Sequence, residues 1–324
     1  MSTPSIPESV VIIGSGPAAY SASLYLQDHK PLILAGNFTN TQKQYPGGQL
    51  TTTLGVDNYP GFLDKTGPEL VALYQEHVKQ AQVRTKNAWV CGIEQDKDRF
   101  FVHTKEEGTI MAKAVIIATG SVAKRLYVKG TNDHELWQKG ISACATCDGW
   151  LFADEIVMVI GGGDTAMEEV LYLAGVAKEV ILIHRSETFR ARPDLFWEVS
   201  HLPNVTIRYW TVLEEAHGEA SLTSVTVRNL QTQELEEIPV SGLFFAIGHT
   251  PSTEFVQEFP NLLDSNGYII TNPKTMETAV EGLFAAGDVQ DFVYRQAVTA
   301  AYSGMIAGQS AQRWLEQMNP NPFN

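Results

Sequence analysis

Two cysteines, Cys144 and Cys147, stand two residues apart in the stretch Ser142-Ala-Cys-Ala-Thr-Cys-Asp-Gly-Trp150, and the acid Asp148 follows the second directly. This spacing lets a small disulfide ring close, open to a dithiol and close again. The thiolate is the nucleophile in such chemistry, and an adjacent carboxyl can carry a proton to or from a leaving thiolate. The competing reading of a Cys-x-x-Cys pair is half of a zinc site. A structural zinc takes four ligands. The third cysteine, Cys91, stands alone, and no histidine pair has zinc-finger spacing. Redox chemistry is the better reading. Cys91 itself, in Ala88-Trp-Val-Cys, is expected to be an apolar strand residue packed in the core.

The elements around this pair belong to a dinucleotide-binding pattern that occurs twice. Ser9-Val-Val-Ile-Ile13 reads as a buried parallel strand, Gly14-Ser15-Gly16-Pro17-Ala18-Ala19 as a G-x-G-x-x-A turn, and Tyr20 to Leu26 as a helix. Gly14 makes the tight turn, Gly16 lets backbone approach a pyrophosphate, and Ala19 permits close helix–strand packing. The helix N-terminus then presents its positive dipole end to the phosphates. Pro31 to Ala35 is the next strand. An acid that commonly holds a ribose at such a strand end is absent from Ala35-Gly36-Asn37.

After the cysteines the pattern restarts. Glu155 to Ile160 reads as a strand, Gly161-Gly-Gly163-Asp164-Thr165-Ala166 as the turn, and Met167 to Ala174 as the helix. Glu179 to His184 is the following strand. Arg185-Ser186-Glu-Thr-Phe-Arg190-Ala-Arg192 comes where a 2′-phosphate would sit in an NADP site. A solvated basic loop is the plainer reading, disfavoured in a chain this acidic.

Between these turns, Gln44 to Leu50 and Asn58-Tyr-Pro-Gly61 are turn-rich and suited to cover a ligand, or to be loops alone. Thr66 to Gln82 reads as a helix, and Asn87 to Val102 and Thr109 to Ala118 as strands, the last ending in Ala118-Thr119-Gly120. A strand meander is expected from Val205 to Val240. Gly282 to Asp288 reads as a strand ending in Gly287-Asp288, followed by a helix from about Arg295 to Gln317. Asp288 could accept a hydrogen bond from a ribityl hydroxyl, or simply cap the helix; both can hold.

Composition bounds the rest. The chain has 324 residues, 44% hydrophobic and 19% charged, enough for two globular domains. A formal charge of −14 argues against nucleic acid or an anionic membrane as the main partner. No apolar run approaches the ~20 residues of a membrane span, and the N-terminus lacks the pattern of a secretory signal. Only 3 cysteines exclude a structural disulfide framework and fit a reducing, cytoplasmic compartment.

Taken together, these residues resemble the low-molecular-weight thioredoxin reductases. The matching segments are Gly14-Ser-Gly-Pro-Ala-Ala, Gly47-Gly48-Gln49-Leu50-Thr-Thr-Thr, Ala118-Thr119-Gly120, Cys144-Ala-Thr-Cys147-Asp148-Gly, Gly161-Gly-Gly-Asp-Thr-Ala-Met-Glu-Glu, Gly287-Asp288-Val and Tyr294-Arg295-Gln296-Ala297, in the family's order over nearly the whole chain. The resemblance implies an α/β fold with two Rossmann-like dinucleotide-binding domains of the three-layer ββα type. An FAD domain would span 1–122 and 251–324, and a smaller NADPH-type domain carrying the disulfide 123–250. FAD would be held by Gly14, Ser15, Gly16, Pro17, Ala18, Gly48, Gln49, Leu50, Asn58, Thr119, Gly120, Gly287, Asp288, Arg295, Gln296 and Ala297. NADPH would be held by Gly161, Gly163, Asp164, Thr165, Arg185, Ser186 and Arg190. Cys147 would face the flavin, Cys144 would attack a thioredoxin-like protein disulfide, and Asp148 would supply the proton. A homodimer is implied. So is a rotation of one domain against the other, with hinges near 120–124 and 246–252.

Two departures stand out. The family's arginine motif has Ser186 in place of its middle arginine, and losing one charge-assisted phosphate contact costs about 1.5–3 kcal/mol, ten- to hundred-fold in affinity. Arg192 could compensate. Tyr302 stands where the family generally has a glycine near the flavin, and its phenol could pack on the ring or hinder a nicotinamide. Some relatives take electrons from ferredoxin or hold a second FAD in the NADPH site, and Gly161-x-Gly163-x-x-Ala166 would accept either dinucleotide.

Overall fold

The computed structural model describes residues 6–36, 46–53, 55–56, 58–256 and 259–318. Asn37, Gln44 and Tyr45 of the sequence reading lie outside them. The chain divides into two compact units, Met1–Thr52 with Tyr59–Val122 and Thr250–Asn324, and Thr53–Asn58 with Ala123–His249.

The first unit opens with β1 (Glu8–Ile13), α1 (Pro17–Leu24), β2 (Leu32–Leu34) and α2 (Gly67–Gln80). Thr66 caps α2 in a reciprocal pair with Glu69: the Glu69 N–H donates to the threonine hydroxyl, and the Thr66 N–H donates to the Glu69 carboxylate. Four strands follow: β3 (Arg84–Lys86), β4 (Val90–Asp96), β5 (Arg99–Thr104) and β6 (Gly108–Ile117). The run 87–102, expected as one strand, is broken at Lys97, whose positive φ of 56° turns the chain into the β4–β5 hairpin. A bulge between Val90 and Gly92 re-aims Cys91 outward. Its thiol is exposed, not packed in the core as its apolar neighbours suggested.

The chain crosses to the second unit in β7 (Ser121–Ala123). There it forms β8 (Ile141–Ser142), α3 (Ala145–Asp148), β9 (Ile156–Gly161), α4 (Asp164–Ala174), β10 (Glu179–Ile183), α5 (Pro193–Ser200) and β11 (Val205–Arg208). The meander is β12 (Thr211–Gly218), β13 (Leu222–Asn229) and β14 (Leu235–Pro239), and β15 (Gly242–Ala246) returns to the main sheet. That sheet runs β11-β10-β9-β15-β8, all parallel. Val205–Arg208, expected in the meander, instead pairs in parallel with β10. Its alternation suits either role, and the partner strand decides.

Three layers follow from which face each side chain takes. Met158, Ile160, Ile181, Ile183 and Phe245 of the sheet bury against Leu213, Val225, Val227 and Ile238 of the meander. Val157, Val159, Leu182 and Phe244 bury on the other face against Met167, Val170 and Leu173 of α4. Full burial of side chains this size contributes roughly 1.5–3 kcal/mol each, the main term holding the layers together.

The chain returns through β16 (His249–Pro251) to β17 (Leu283–Ala285) and the long α6 (Ala297–Met318). The first unit repeats the layering. Its sheet runs β3-β2-β1-β6-β5-β4, with β17 parallel to the far end of β6. Val10, Ile12, Ile116 and Phe284 face the helices, and Val11, Ile13, Val115 and Ile117 face Val90, Phe100 and Val102 of the antiparallel strands. α1 and α6 cross closely because glycines meet backbone: a Cβ at Gly304 would lie 2.2 Å from the Ala18 carbonyl oxygen.

Candidate functional site

In the first unit the ends of β1, β6 and β17 converge on the starts of α1 and α6. Gly14 has φ +123°, and a Cβ there would sit 2.1 Å from the Ala118 carbonyl oxygen, so only glycine fits. A Cβ at Gly287 (φ +76°) would meet that of Ala18 at 2.9 Å, and the Gly287 N–H donates to Ser303 Oγ at 2.9 Å. Ser15 bridges the loop beyond: its hydroxyl donates to the Ala35 carbonyl at 2.8 Å and accepts from the Gly47 N–H at 3.0 Å. This fixes the turn that carries Gly48, Gln49 and Leu50. Thr119 Oγ1 donates to the Ser252 carbonyl at 2.8 Å.

The residues assigned to FAD thus lie in the first unit, apart from Asn58, which groups with the second. The glycines among them leave room for a ligand's backbone-close approach. Gly48 and Gly120 face open space within 4 Å, and nothing comes closer to Gly16 than the Gly47 carbonyl at 4.0 Å. Asp288 follows Gly287 with its pKa pushed up to about 7 by burial and by the Asp291 carboxylate, against the pull of Arg295. Arg295 sits in the left-handed region (φ 48°). Asp291 holds this corner by accepting the N–H groups of Val293, Tyr294 and Arg295. Tyr302 on α6 is 61% exposed.

In the second unit Gly161 is as tightly required as Gly14: a Cβ would lie 2.4 Å from the Ala246 carbonyl oxygen and 2.6 Å from the Ala166 methyl. Gly163 caps α4 and faces open space. Asp164 Oδ1 accepts the Arg192 N–H at 2.7 Å, and the Gly162 carbonyl accepts from Arg190 and Ala191. The arginine loop is therefore laced to the glycine turn, with Thr165 on the first turn of α4.

Arg185 and Arg190 are exposed and form no ion pair among the described residues. Ser186 is turned inward, its hydroxyl donating to the Thr188 carbonyl at 3.1 Å and lying 3.1 Å from His184 Nε2. His184, which the sequence reading passed over, covers Gly162 so closely that a Cβ there would meet its ring at 2.2 Å. Burial, with Arg185 and Arg190 nearby, lowers its pKa. Its signal was only its place at the strand end. Arg192 is drawn toward Asp194, at 3.5 Å.

Cys144 and Cys147 form a closed disulfide, with Cα atoms 5.3 Å apart. Cys144 caps α3, and its carbonyl accepts from the Cys147 and Asp148 N–H groups. Gly149 then lets the chain press on α4: a Cβ would sit 2.9 Å from both Leu173 and Tyr172. Trp150, also not singled out from sequence, donates its indole N–H to the Cys147 carbonyl at 3.0 Å and is 45% exposed. Asp148 is buried. Its Oδ2 accepts from Ser142 at 2.5 Å, while Oδ1, also buried, has no hydrogen-bond partner among the described residues. Burial raises its pKa, and the Ser142 hydrogen bond partly opposes this. A carboxyl whose pKa is raised, directly after the second cysteine in the chain, is suited to supply a proton in thiol–disulfide exchange. No group of three or more metal-ligating side chains occurs among the described residues.

Comparison with known proteins agrees with this arrangement. Residues 8–304 match the family described as pyridine nucleotide-disulphide oxidoreductase. Thioredoxin reductase of Dictyostelium discoideum is 41% identical over 98% of this chain and 100% of its own. NADPH-dependent thioredoxin reductase 3 of Arabidopsis thaliana is 41% identical over 97% of this chain and 59% of its own. The solved thioredoxin reductase from Giardia duodenalis superposes with a TM-score of 0.87 at 35% identity, covering 95% of this chain and 98% of that one.

Proposed function

The chain belongs to the pyridine nucleotide-disulphide oxidoreductases and, among them, to the thioredoxin reductases, FAD-dependent enzymes with two Rossmann-like domains; from that premise we propose that it carries electrons from NADPH to its Cys144–Cys147 disulfide and on to a protein disulfide such as that of thioredoxin. The observation that carries this reading is the closed disulfide followed directly by a buried carboxyl, one oxygen of which has no hydrogen-bond partner among the described residues. FAD, when bound, supplies the two-electron carrier.

The chain's own residues do the rest. The Gly14 turn, Ser15, the Gly48 turn, Gly120 and the Gly287–Asp288 corner hold the flavin dinucleotide. The Gly161–Thr165 turn takes the NADPH pyrophosphate, and Arg185 and Arg190 its 2′-phosphate. Cys144 attacks the partner's disulfide, and Asp148 protonates the thiolate that leaves. Trp150 and Leu151 offer exposed apolar surface beside the pair for that partner. Ferredoxin or a second flavin as electron source is not favoured, given a relative named as NADPH-dependent at 41% identity.

The setting is a reducing cytoplasm, where a catalytic pair can cycle. Two copies are expected to associate. Helices α2 and α6 of the first unit expose Leu73, Val298 and Tyr302, the kind of surface that copies bury. No helix among the described residues is long and apolar enough to cross a membrane.

The test is anaerobic. The purified protein should carry one FAD per chain and no second flavin. Its yellow colour should bleach on adding NADPH and return on adding oxidised thioredoxin. Failure of NADPH to bleach the flavin would overturn the donor assignment.

A further inference from the structure

Ser142 enters the sequence only as the start of the cysteine stretch, yet it holds the acid of the reaction. It lies on β8, the edge strand of the parallel sheet, next to Phe244 of β15 in register, and is 4% exposed. Along β8, Ile141 joins the core between sheet and meander. Alternation sends Ser142 to the opposite face, the side on which α3 and α4 pack. There its hydroxyl is used twice. It donates to Asp148 Oδ2 at 2.5 Å and accepts from the Cys144 N–H at 3.1 Å. One strand residue thereby ties both ends of the Cys144–Asp148 segment to the sheet.

We propose that Ser142 is a positioning residue for the acid: by occupying Asp148 Oδ2 it leaves the transferable proton on Oδ1, the carboxyl oxygen that is buried and has no hydrogen-bond partner among the described residues. This rests on the assignment of Asp148 as the acid. In the step concerned, the Cys144 thiolate attacks one sulfur of the partner's disulfide. A Cys144–partner disulfide forms and the partner's S–S bond breaks. The expelled partner thiolate takes the proton that Asp148 carries, leaving Asp148 as a carboxylate. That carboxylate is stabilised by the Ser142 hydroxyl it already accepts from. The electron pair comes from the reduced Cys144–Cys147 dithiol, which is reoxidised when Cys147 resolves the mixed disulfide.

The serine also tunes the acid. Burial raises the Asp148 pKa and the Ser142 hydrogen bond lowers it. No charged group contributes. The facing helix α4 carries Asp164 and Glu168, which are exposed, and Glu169 and Tyr172, which are half-buried, and residues 149–152 carry no titratable side chain. Without Ser142 the carboxyl would hold its proton to higher pH but lose its aim.

The experiment compares Ser142→Ala, Ser142→Thr, Asp148→Asn and the double variant Ser142→Ala/Asp148→Asn in the FAD-loaded enzyme, with oxidised thioredoxin as substrate over pH 5–9. Flavin content and the thiols released by reduction establish that each variant is folded. Ser142→Ala should lower kcat about tenfold, the loss expected for one hydrogen bond to a charged group, while KM for NADPH stays unchanged. Its alkaline limb should move to higher pH, because an acid that must be protonated stays active until its raised pKa is passed. Ser142→Thr, which restores a hydroxyl, should recover most of the rate. The double variant should be no slower than Asp148→Asn alone. Full additivity, an unmoved alkaline limb, or no rescue by threonine would overturn the proposal while leaving Asp148 as the acid. An Asp148→Asn variant with unchanged turnover would overturn the acid assignment itself, and the proposal with it.

Discussion

Ser186 shows how one side chain can weaken a site that its neighbours still define. Its hydroxyl is engaged with Thr188 and His184, so it offers a 2′-phosphate little in place of the arginine that the family has there. On the proposed function, Arg185 and Arg190 would be the phosphate's remaining partners. Ser186→Arg should therefore lower KM for NADPH by roughly tenfold and leave NADH nearly unaffected, since only NADPH carries the extra phosphate. Steady-state kinetics with both donors decides it; an equal gain for NADH would show that residue 186 does not face the phosphate. At this scale Cys144, Cys147 and Asp148 were legible because their chemistry is local in sequence. The service of Ser142 to Asp148 was not, because it depends on which face of β8 the hydroxyl takes. Cys91 was misread for a related reason: a bulge changes the parity of a strand, and no residue near it announces one.

At the scale of elements, the two glycine turns were legible because strand, turn and helix each have their own pattern. The structure adds why the first glycine of each turn is required. At Gly161 the obstacle is the Ala246 carbonyl on β15, a strand far along the chain. Gly161→Ala should strain the β9–α4 junction by about 1–3 kcal/mol. FAD content should stay near normal, because the flavin residues have a separate core in the first unit. Flavin reduction by NADPH, followed in a stopped-flow mixer, should slow at least tenfold. Loss of FAD together with NADPH response would contradict the independence of the two units. Helix α5 and the pairing of Val205–Arg208 were not legible. Pro193 reads as a breaker but serves here at the helix start, and a short β-branched strand suits a meander as well as a sheet edge.

For the whole molecule, a first domain split in sequence was an expectation of the family resemblance and not of the residue pattern; the first compact unit is itself discontinuous, with Thr53–Asn58 and Ala123–His249 forming the second. Sedimentation velocity at micromolar concentration should give the mass of two 35.7 kDa chains, and a monomer there would remove the homodimer.

The central claim is that electrons reach the Cys144–Cys147 disulfide, and the chain has a convenient internal standard for it. Of its 3 cysteines only Cys91 is free, and it is exposed. Thiols of the FAD-loaded, denatured protein, trapped under anaerobic conditions, should number one per chain before NADPH. They should number three after it, and one again after an excess of oxidised thioredoxin. One thiol per chain before and after NADPH, with the flavin bleached, would contradict the account.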